Sequence, residues 1–151
     1  MMKNRNIQKI LNYLFYLIPW FLSSIFFKID TSYYQELSKP IFAPPKIFFP
    51  IIWTILYLLI AYAIQKTKEK TTNYKIYLLI NYLSNQLFPF CFFTIKNNFL
   101  AMTDTIIVFI SSLYLYLETK EIDQQNTKYL LPYIAWNLFA LILISTIYIM
   151  N

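Results

Sequence analysis

The side chains that could bind or transform a ligand are aromatic rings and amides that recur at helical spacing. The pairs are Trp53 and Tyr57, Asn85 and Phe88, Trp136 and Ala140, and Trp20 and Ser24. Residues three or four positions apart lie on one face of a helix. Converging faces would line a cavity with indole, phenol, phenyl and amide groups, which suits a flat, mostly apolar ligand with a few polar substituents. The alternative is ordinary packing between helices, in which the same faces form a core.

A cluster of polar residues interrupts an apolar segment at Asn81, Ser84, Asn85 and Gln86. Amide groups in hydrocarbon cost free energy unless they find hydrogen-bond partners. Two explanations stay open, because these groups could bond across helices or could line a pocket and orient a ligand. For Asp104, in the next apolar segment, we expect a structural role such as a bond to a neighbouring helix or loop.

A proline-rich stretch lies between two apolar runs. Four of the chain's seven prolines fall between Pro40 and Pro50, among aromatic residues, and Trp53 and Tyr57 follow at once. Proline fixes φ and donates no backbone hydrogen bond, so the cluster predicts a stiff, extended loop. A loop of this kind above an apolar helix is suited to act as the lid of a pocket.

Missing residue types exclude several classes of site. The chain has no histidine, no glycine and one cysteine, Cys91. A disulfide within the chain, a Cys/His zinc site and a histidine-based catalytic group therefore cannot be built. We expect no metal, no cofactor and no catalytic acid–base residue, and close contacts between helices must use alanine or serine.

Composition indicates an all-α membrane protein, specifically a five-transmembrane-helix bundle. The 151 residues are 58% hydrophobic and 13% charged, with a mean hydropathy of +0.47, against about 25% charged residues in a soluble domain. Apolar spans are predicted at about 10–27, 48–65, 76–95, 99–117 and 129–150, each near the length that crosses a bilayer. They form one domain, 1–151. We expect the first span to be retained, because no small-residue cleavage pattern follows it.

Three prolines predict local changes in the spans. Pro132 fits the first turn of the fifth helix, where its missing N–H costs little. Pro89 is expected to kink the third helix, and Pro19 the first.

Charge predicts the orientation of the bundle. Nine of the 13 basic residues fall in the N-terminal tail and in the second and fourth connections, and four fall in the first and third. The positive-inside rule then puts the N-terminus in the cytoplasm and the proline-rich loop outside. Topology accounts for the net charge of +6, so we expect membrane lipid and no nucleic acid as a partner.

Taken together, three groups of residues resemble the translocator protein family, whose bacterial members are called tryptophan-rich sensory proteins (TspO/MBR). The first loop and second helix contribute Tyr33, Tyr34, Leu37, Lys39, Pro40, Phe42, Pro44, Pro45, Trp53, Leu56 and Tyr57. The third and fourth helices contribute Asn85, Phe88, Phe92, Phe93, Ala101 and Asp104. The fifth contributes Pro132, Tyr133, Ala135, Trp136, Phe139 and Ala140. The resemblance covers nearly the whole chain in order.

The resemblance implies a five-helix bundle, usually a homodimer, in a bacterial cell membrane. Family members bind porphyrins such as protoporphyrin IX, and some bind other hydrophobic small molecules, in a pocket closed by the first loop. The residues it places at pocket positions are Tyr33, Tyr34, Pro45, Ile47, Trp53, Tyr57, Asn85, Gln86, Phe88, Trp136 and Ala140. Ser24 joins them through its helical face with Trp20.

Three functional readings follow from this resemblance. The first is a porphyrin-binding sensor or translocator. The second is an enzyme that degrades porphyrin in light, in which Trp53 and Trp136 would act as redox partners. The third is a scaffold without a ligand. The family usually has tryptophan where this chain has Tyr33, Phe42 and Phe88, so the ligand preference is expected to differ.

Overall fold

The computed structural model describes residues 2–67 and 69–151, with side chains from residue 6 onward. Its main helices are α1 (Met2–Leu17), α2 (Leu22–Phe26), α3 (Thr31–Glu36), α4 (Phe48–Lys66), α5 (Thr72–Pro89), α6 (Asn98–Ile122) and α7 (Leu131–Met150). No strand occurs in these residues. A helix pairs its own backbone N–H and C=O groups, for which hydrocarbon offers no hydrogen-bond partners. The predicted fold class is confirmed.

Five helical segments are long and apolar enough to cross a membrane. They are Asn6–Phe26, Phe48–Lys66, Thr72–Thr94, Asn98–Ile122 and Leu131–Met150. The third begins four residues before its predicted start and the fourth ends five residues after its predicted end, because both ends carry polar residues that hydropathy does not favour. Thr71 caps the third span, since its Oγ1 accepts a hydrogen bond of 3.1 Å from the Tyr74 N–H.

Two of the three prolines accompany a change of helix type, and the third lies at a helix start. Pro132 lies in the first turn of α7, as predicted. Pro19 lies in a 3₁₀ turn, Ile18–Phe21, that separates α1 from α2. Pro89 is the last residue of α5 and is followed by a π turn, Phe90–Thr94. The kink predicted at Pro89 is therefore a change of helix type.

Small side chains allow the helices to approach without glycine. Ala61 and Ala101 are fully buried, and Ala63 and Ser112 are each 1% exposed. The core has two parts: one surrounds Trp20 and Tyr133, and the other surrounds Tyr34 and Phe92, close to the proline-rich loop.

Hydrogen bonds show which connections share an end of the bundle. The Tyr33 hydroxyl donates to the Lys96 carbonyl at 3.0 Å. The Ser38 N–H donates to Asn151 Oδ1 at 2.9 Å, so the first loop, the α5–α6 connection and the end of α7 lie together. At the opposite end, Gln65 Nε2 donates to the Lys9 carbonyl at 2.7 Å. The two sets of basic residues counted from the sequence therefore lie at opposite ends of the bundle. Residue 68 and the side chains of Lys3 and Arg5 lie outside the described part.

The first loop contains a short helix that the sequence pattern did not predict. Asp30 caps the N-terminus of α3, because its Oδ1 accepts a hydrogen bond of 3.1 Å from the Ser32 N–H. After α3 the chain is extended, with turns closed by Ala43 N–H to Pro40 carbonyl and Phe48 N–H to Pro45 carbonyl, both 3.0 Å. We call residues 28–47 the lid. The extended, stiff loop predicted from the proline cluster fits these bonds, and α3 precedes that cluster.

Candidate functional site

A cavity of about 460 Å³ lies beneath the lid and is lined by side chains from all five spans. This volume lies within the range of about 300–1,000 Å³ that small-molecule pockets occupy. Trp20, Trp53 and Trp136, all of the chain's tryptophans, are among the lining residues. The helical faces singled out from the sequence therefore converge on a cavity.

Aromatic rings form a continuous wall on one side of this cavity. The rings of Trp53 and Trp136 lie 6.4 Å apart between centroids, at an interplanar angle of 88°. Tyr57 lies 5.5 Å from Trp53 and also 5.5 Å from Trp20. These ring faces can stack on or meet the edge of a flat ligand.

Asn85 lies where the aromatic wall meets a buried polar network. It lines the cavity and is 4% exposed. Its Oδ1 accepts from the Tyr57 hydroxyl at 2.9 Å. Its Nδ2 donates to the Tyr133 hydroxyl at 3.3 Å. These bonds link α4, α5 and α7 and fix the orientation of the amide beside the cavity.

The other two amides of the predicted polar cluster bond to helices instead. Asn81 Nδ2 donates to the Val108 carbonyl and to Ser111 Oγ, both at 3.0 Å. Gln86 Oε1 accepts from the Ser23 N–H at 2.8 Å, and its Nε2 donates to the Trp20 carbonyl at 3.2 Å. Bonding across helices is therefore found for all three amides, and Asn85 also lines the cavity. That Asn85 orients a ligand stays a prediction.

The structure brings most of the predicted site residues together. Those that line the cavity are Ser24, Tyr34, Ile47, Trp53, Tyr57, Asn85, Phe88, Trp136 and Ala140. Tyr33, Pro45 and Gln86 do not line it. The ring of Tyr33 lies 5.3 Å from that of Phe92, and its hydroxyl also bonds to Asn98 Oδ1 at 2.9 Å. Pro45 shapes the lid through its turn. Ligand contact by any of these residues stays a prediction.

Two buried donors beside the cavity have no acceptor among the described residues. They are Nε1 of Trp136 and Nδ2 of Asn137, and both residues line the cavity. A buried polar group without a partner costs free energy. Sequence reasoning missed Asn137, which is 1% exposed. The sequence did contain a signal for it, because Asn137 is an amide within an apolar segment and directly follows Trp136.

Asp104 lies outside the set of residues that line the cavity. Its side chain is buried at 7% exposure, and Oδ2 has no hydrogen-bond partner among the described residues. The structural role that the sequence led us to expect for the Asp104 side chain, such as a bond to a neighbouring helix or loop, stays a prediction.

Polar contacts join the lid to itself and to the bundle. The Tyr34 hydroxyl donates to the Pro44 carbonyl at 2.9 Å, and burial raises the pKa of Tyr34. Lys96 Nζ lies 3.1 Å from Asp30 Oδ2. The hydrogen bond from the Ser32 hydroxyl, followed by the one from Lys96, lowers the pKa of Asp30 to about 2. The lid is thus braced internally by Tyr34 and joined to the α5–α6 connection by the pair of Asp30 and Lys96.

The lining suits binding rather than acid–base chemistry. Its polar side chains are hydroxyls, amides, indoles and one lysine, with no carboxylate among the described residues. No group of three or more Cys, Asp or Glu residues that could hold a metal occurs in the described part of the chain. A ligand would be held by apolar contact, ring stacking and a few hydrogen bonds.

Comparisons with known proteins agree with the resemblance seen in the sequence. The model of the TspO/MBR family matches residues 12–150. The chain is 35% identical over 136 residues to a tryptophan-rich protein TspO of Bacillus cereus, covering 87% of this chain and 89% of that protein. It is 36% identical over 131 residues to the uncharacterized membrane protein YtaB of Bacillus subtilis, covering 83% and 84%. A tryptophan-rich protein TspO of Archaeoglobus fulgidus is 30% identical over 128 residues, with 80% of each chain covered.

Proposed function

The chain belongs to the TspO/MBR family, and on this premise we propose that its cavity binds porphyrins of the protoporphyrin IX type. The protein would act as a multi-pass membrane sensor or translocator. We place it in a bacterial cell membrane with the N-terminus in the cytoplasm. The lid would close over the bound ligand on the outer side.

The observation that supports this proposal is an apolar cavity of about 460 Å³ whose wall carries two indoles in contact. A porphyrin is flat, aromatic and largely apolar, so its faces match the rings of Trp53 and Trp136. Its polar edge would need few hydrogen bonds.

A titration with protoporphyrin IX tests the proposal. The purified protein in detergent is titrated, and binding is followed both by tryptophan quenching and by the absorption of the porphyrin itself. We expect saturable binding. In the double variant Trp53→Phe/Trp136→Phe, the loss of ring area and of two N–H donors should cost about 1–2 kcal/mol, which weakens binding roughly tenfold.

Trp20 gives this titration an internal reference, because the double variant still contains one fluorescent indole that lines the cavity. Quenching of Trp20 with a right-shifted midpoint would show a weakened but occupied cavity. Absence of saturable binding in the unmodified protein, or an unchanged midpoint in the double variant, would refute the proposal that the porphyrin binds in this cavity.

The second candidate function is light-dependent breakdown of the bound porphyrin. It is favoured by the contact of Trp53 with Trp136 at 6.4 Å, because adjacent indoles beside an excited ligand can act as redox partners. Illumination of the complex in air should then give a new absorbing product. If that product forms equally in Trp136→Phe at saturating porphyrin, the indole has no part in it. Binding without a product leaves a sensor alone.

A further inference from the structure

One charged side chain lies among the described residues that line the cavity, and it is Lys46. It is exposed, as are the lining residues Ser24, Thr31 and Thr54. These residues come from the end of the first span, the lid and the start of α4. They form the mouth of the cavity, whereas Trp20, Asn85 and Asn137 at its interior are buried.

Two other lysines near the lid, Lys39 and Lys96, have strong partners, whereas Lys46 has only a weak neutral one. Lys39 Nζ donates to three carbonyls, those of Tyr34, Gln35 and Leu37, at 2.8, 3.0 and 2.7 Å. Lys96 Nζ pairs with Asp30 at 3.1 Å. Lys46 Nζ reaches Gln35 Oε1 at 3.3 Å, and no carboxylate lies within 4.0 Å of it among the described residues.

We propose that Lys46 binds an anionic group of the ligand, of the carboxylate class, at the mouth of the cavity. The ligand is then an amphipathic anion, with its apolar body against the aromatic wall and its charged end beside Lys46. The lysine stem can lie along the apolar rim while its ammonium group stays in the hydrated interface. The hydroxyl of Thr31 offers a further donor at the same mouth.

This inference rests on the proposed function and specifies which part of the ligand is recognised. An ion pair in an exposed position contributes little, typically about 0.2–1 kcal/mol, which corresponds to at most about a fivefold change in affinity. Lys46 is therefore expected to select between ligands of equal shape more than to supply most of the affinity.

The experiment compares protoporphyrin IX, which has two carboxylates, with its dimethyl ester, which has the same macrocycle and no carboxylate. Dissociation constants for both are measured in the unmodified protein, in Lys46→Gln, in Lys46→Arg and in Lys28→Gln. Lys28 is the matched control, since it is also an exposed lysine of the lid and does not line the cavity. The ratio of the two constants within each protein is compared between proteins, which cancels the different partitioning of acid and ester into detergent.

We expect Lys46→Gln to reduce the preference for the acid over the ester about threefold to fivefold. Lys28→Gln and Lys46→Arg should keep the preference. High salt, which shortens the screening length to about 3 Å at 1 M, should reduce the preference in the unmodified protein and leave Lys46→Gln unchanged.

A ratio that is the same in Lys46→Gln and the unmodified protein would overturn the inference while porphyrin binding stands. An equal loss in Lys28→Gln would also overturn it, since a general charge effect would then explain the preference. If neither ligand binds saturably to the unmodified protein, the proposed function and this inference fail together.

Discussion

Replacing Asn81 with leucine tests whether this amide stabilises the bundle without contributing to binding in the cavity. Asn81 is fully buried between α5, α6 and α7. Its Nδ2 makes two bonds to α6, and its Oδ1 accepts from the Tyr133 hydroxyl at 2.8 Å. Asn81→Leu removes all three bonds and leaves the Tyr133 hydroxyl without its acceptor. The cavity lining does not include Asn81, so binding should not change.

The size of this effect follows from the number of bonds. Hydrogen bonds between membrane helices average about 0.6 kcal/mol and reach about 1.7 kcal/mol. Three lost bonds then predict a decrease of about 2 kcal/mol in the free energy of unfolding. One of the three bonds is shared with Tyr133, so both single changes remove it. The double variant Asn81→Leu/Tyr133→Phe should therefore be about 0.6 kcal/mol more stable than the sum of the two single changes predicts.

The assay is reversible unfolding in mixed micelles of a mild detergent and a denaturing one, combined with the porphyrin titration. Asn73→Leu is the control, because Asn73 is exposed on the same helix, α5. Asn85→Leu should reduce both stability and affinity, since Asn85 bonds across helices and lines the cavity. Stability in Asn81→Leu equal to that of Asn73→Leu, or an affinity loss as large as that of Asn85→Leu, would refute the division between the two amides.

Three further predictions concern the lid and are read by hydrogen exchange. Lys39→Met removes three bonds to lid carbonyls, so backbone exchange in residues 31–40 should rise about tenfold; unchanged exchange would contradict this. Asn151→Ala removes two bonds to Ser38 and should speed exchange near Ser38 but not near Asp30. Because the pKa of Asp30 is lowered to about 2, its stabilisation of the lid is complete above about pH 4 and is lost as the pH falls toward 2; Asp30→Asn should abolish this pH dependence.

The sequence predicted the spans well because their signal is physical and local. A run of about 20 apolar residues has few alternatives to a membrane helix. The short helix α3 was missed because six residues carry no measurable periodicity, and its start depends on one cap by Asp30. Asp is a preferred residue at the N-cap of a helix, so this signal was present but weak.

The site was predictable as a set of faces and less so residue by residue. Helical spacing correctly grouped Trp53 with Tyr57, which contact each other at 5.5 Å. It could not separate Asn85 from Gln86, which are adjacent in sequence yet face different helices. Each residue turns the helix by about 100°, so small rotations decide which amide meets the cavity. Those rotations depend on packing between spans that are distant in sequence.

The most direct test is to fill the cavity with a larger side chain and to measure whether protoporphyrin IX still binds. Ala140 lines the cavity on α7, and Ala135 is exposed on the same helix. Ala140→Phe should place a ring in the space for the porphyrin and weaken protoporphyrin IX binding by at least about tenfold, without lowering thermal stability. Ala135→Phe should bind as the unmodified protein does. Unimpaired binding in Ala140→Phe would contradict the claim that the porphyrin occupies this cavity.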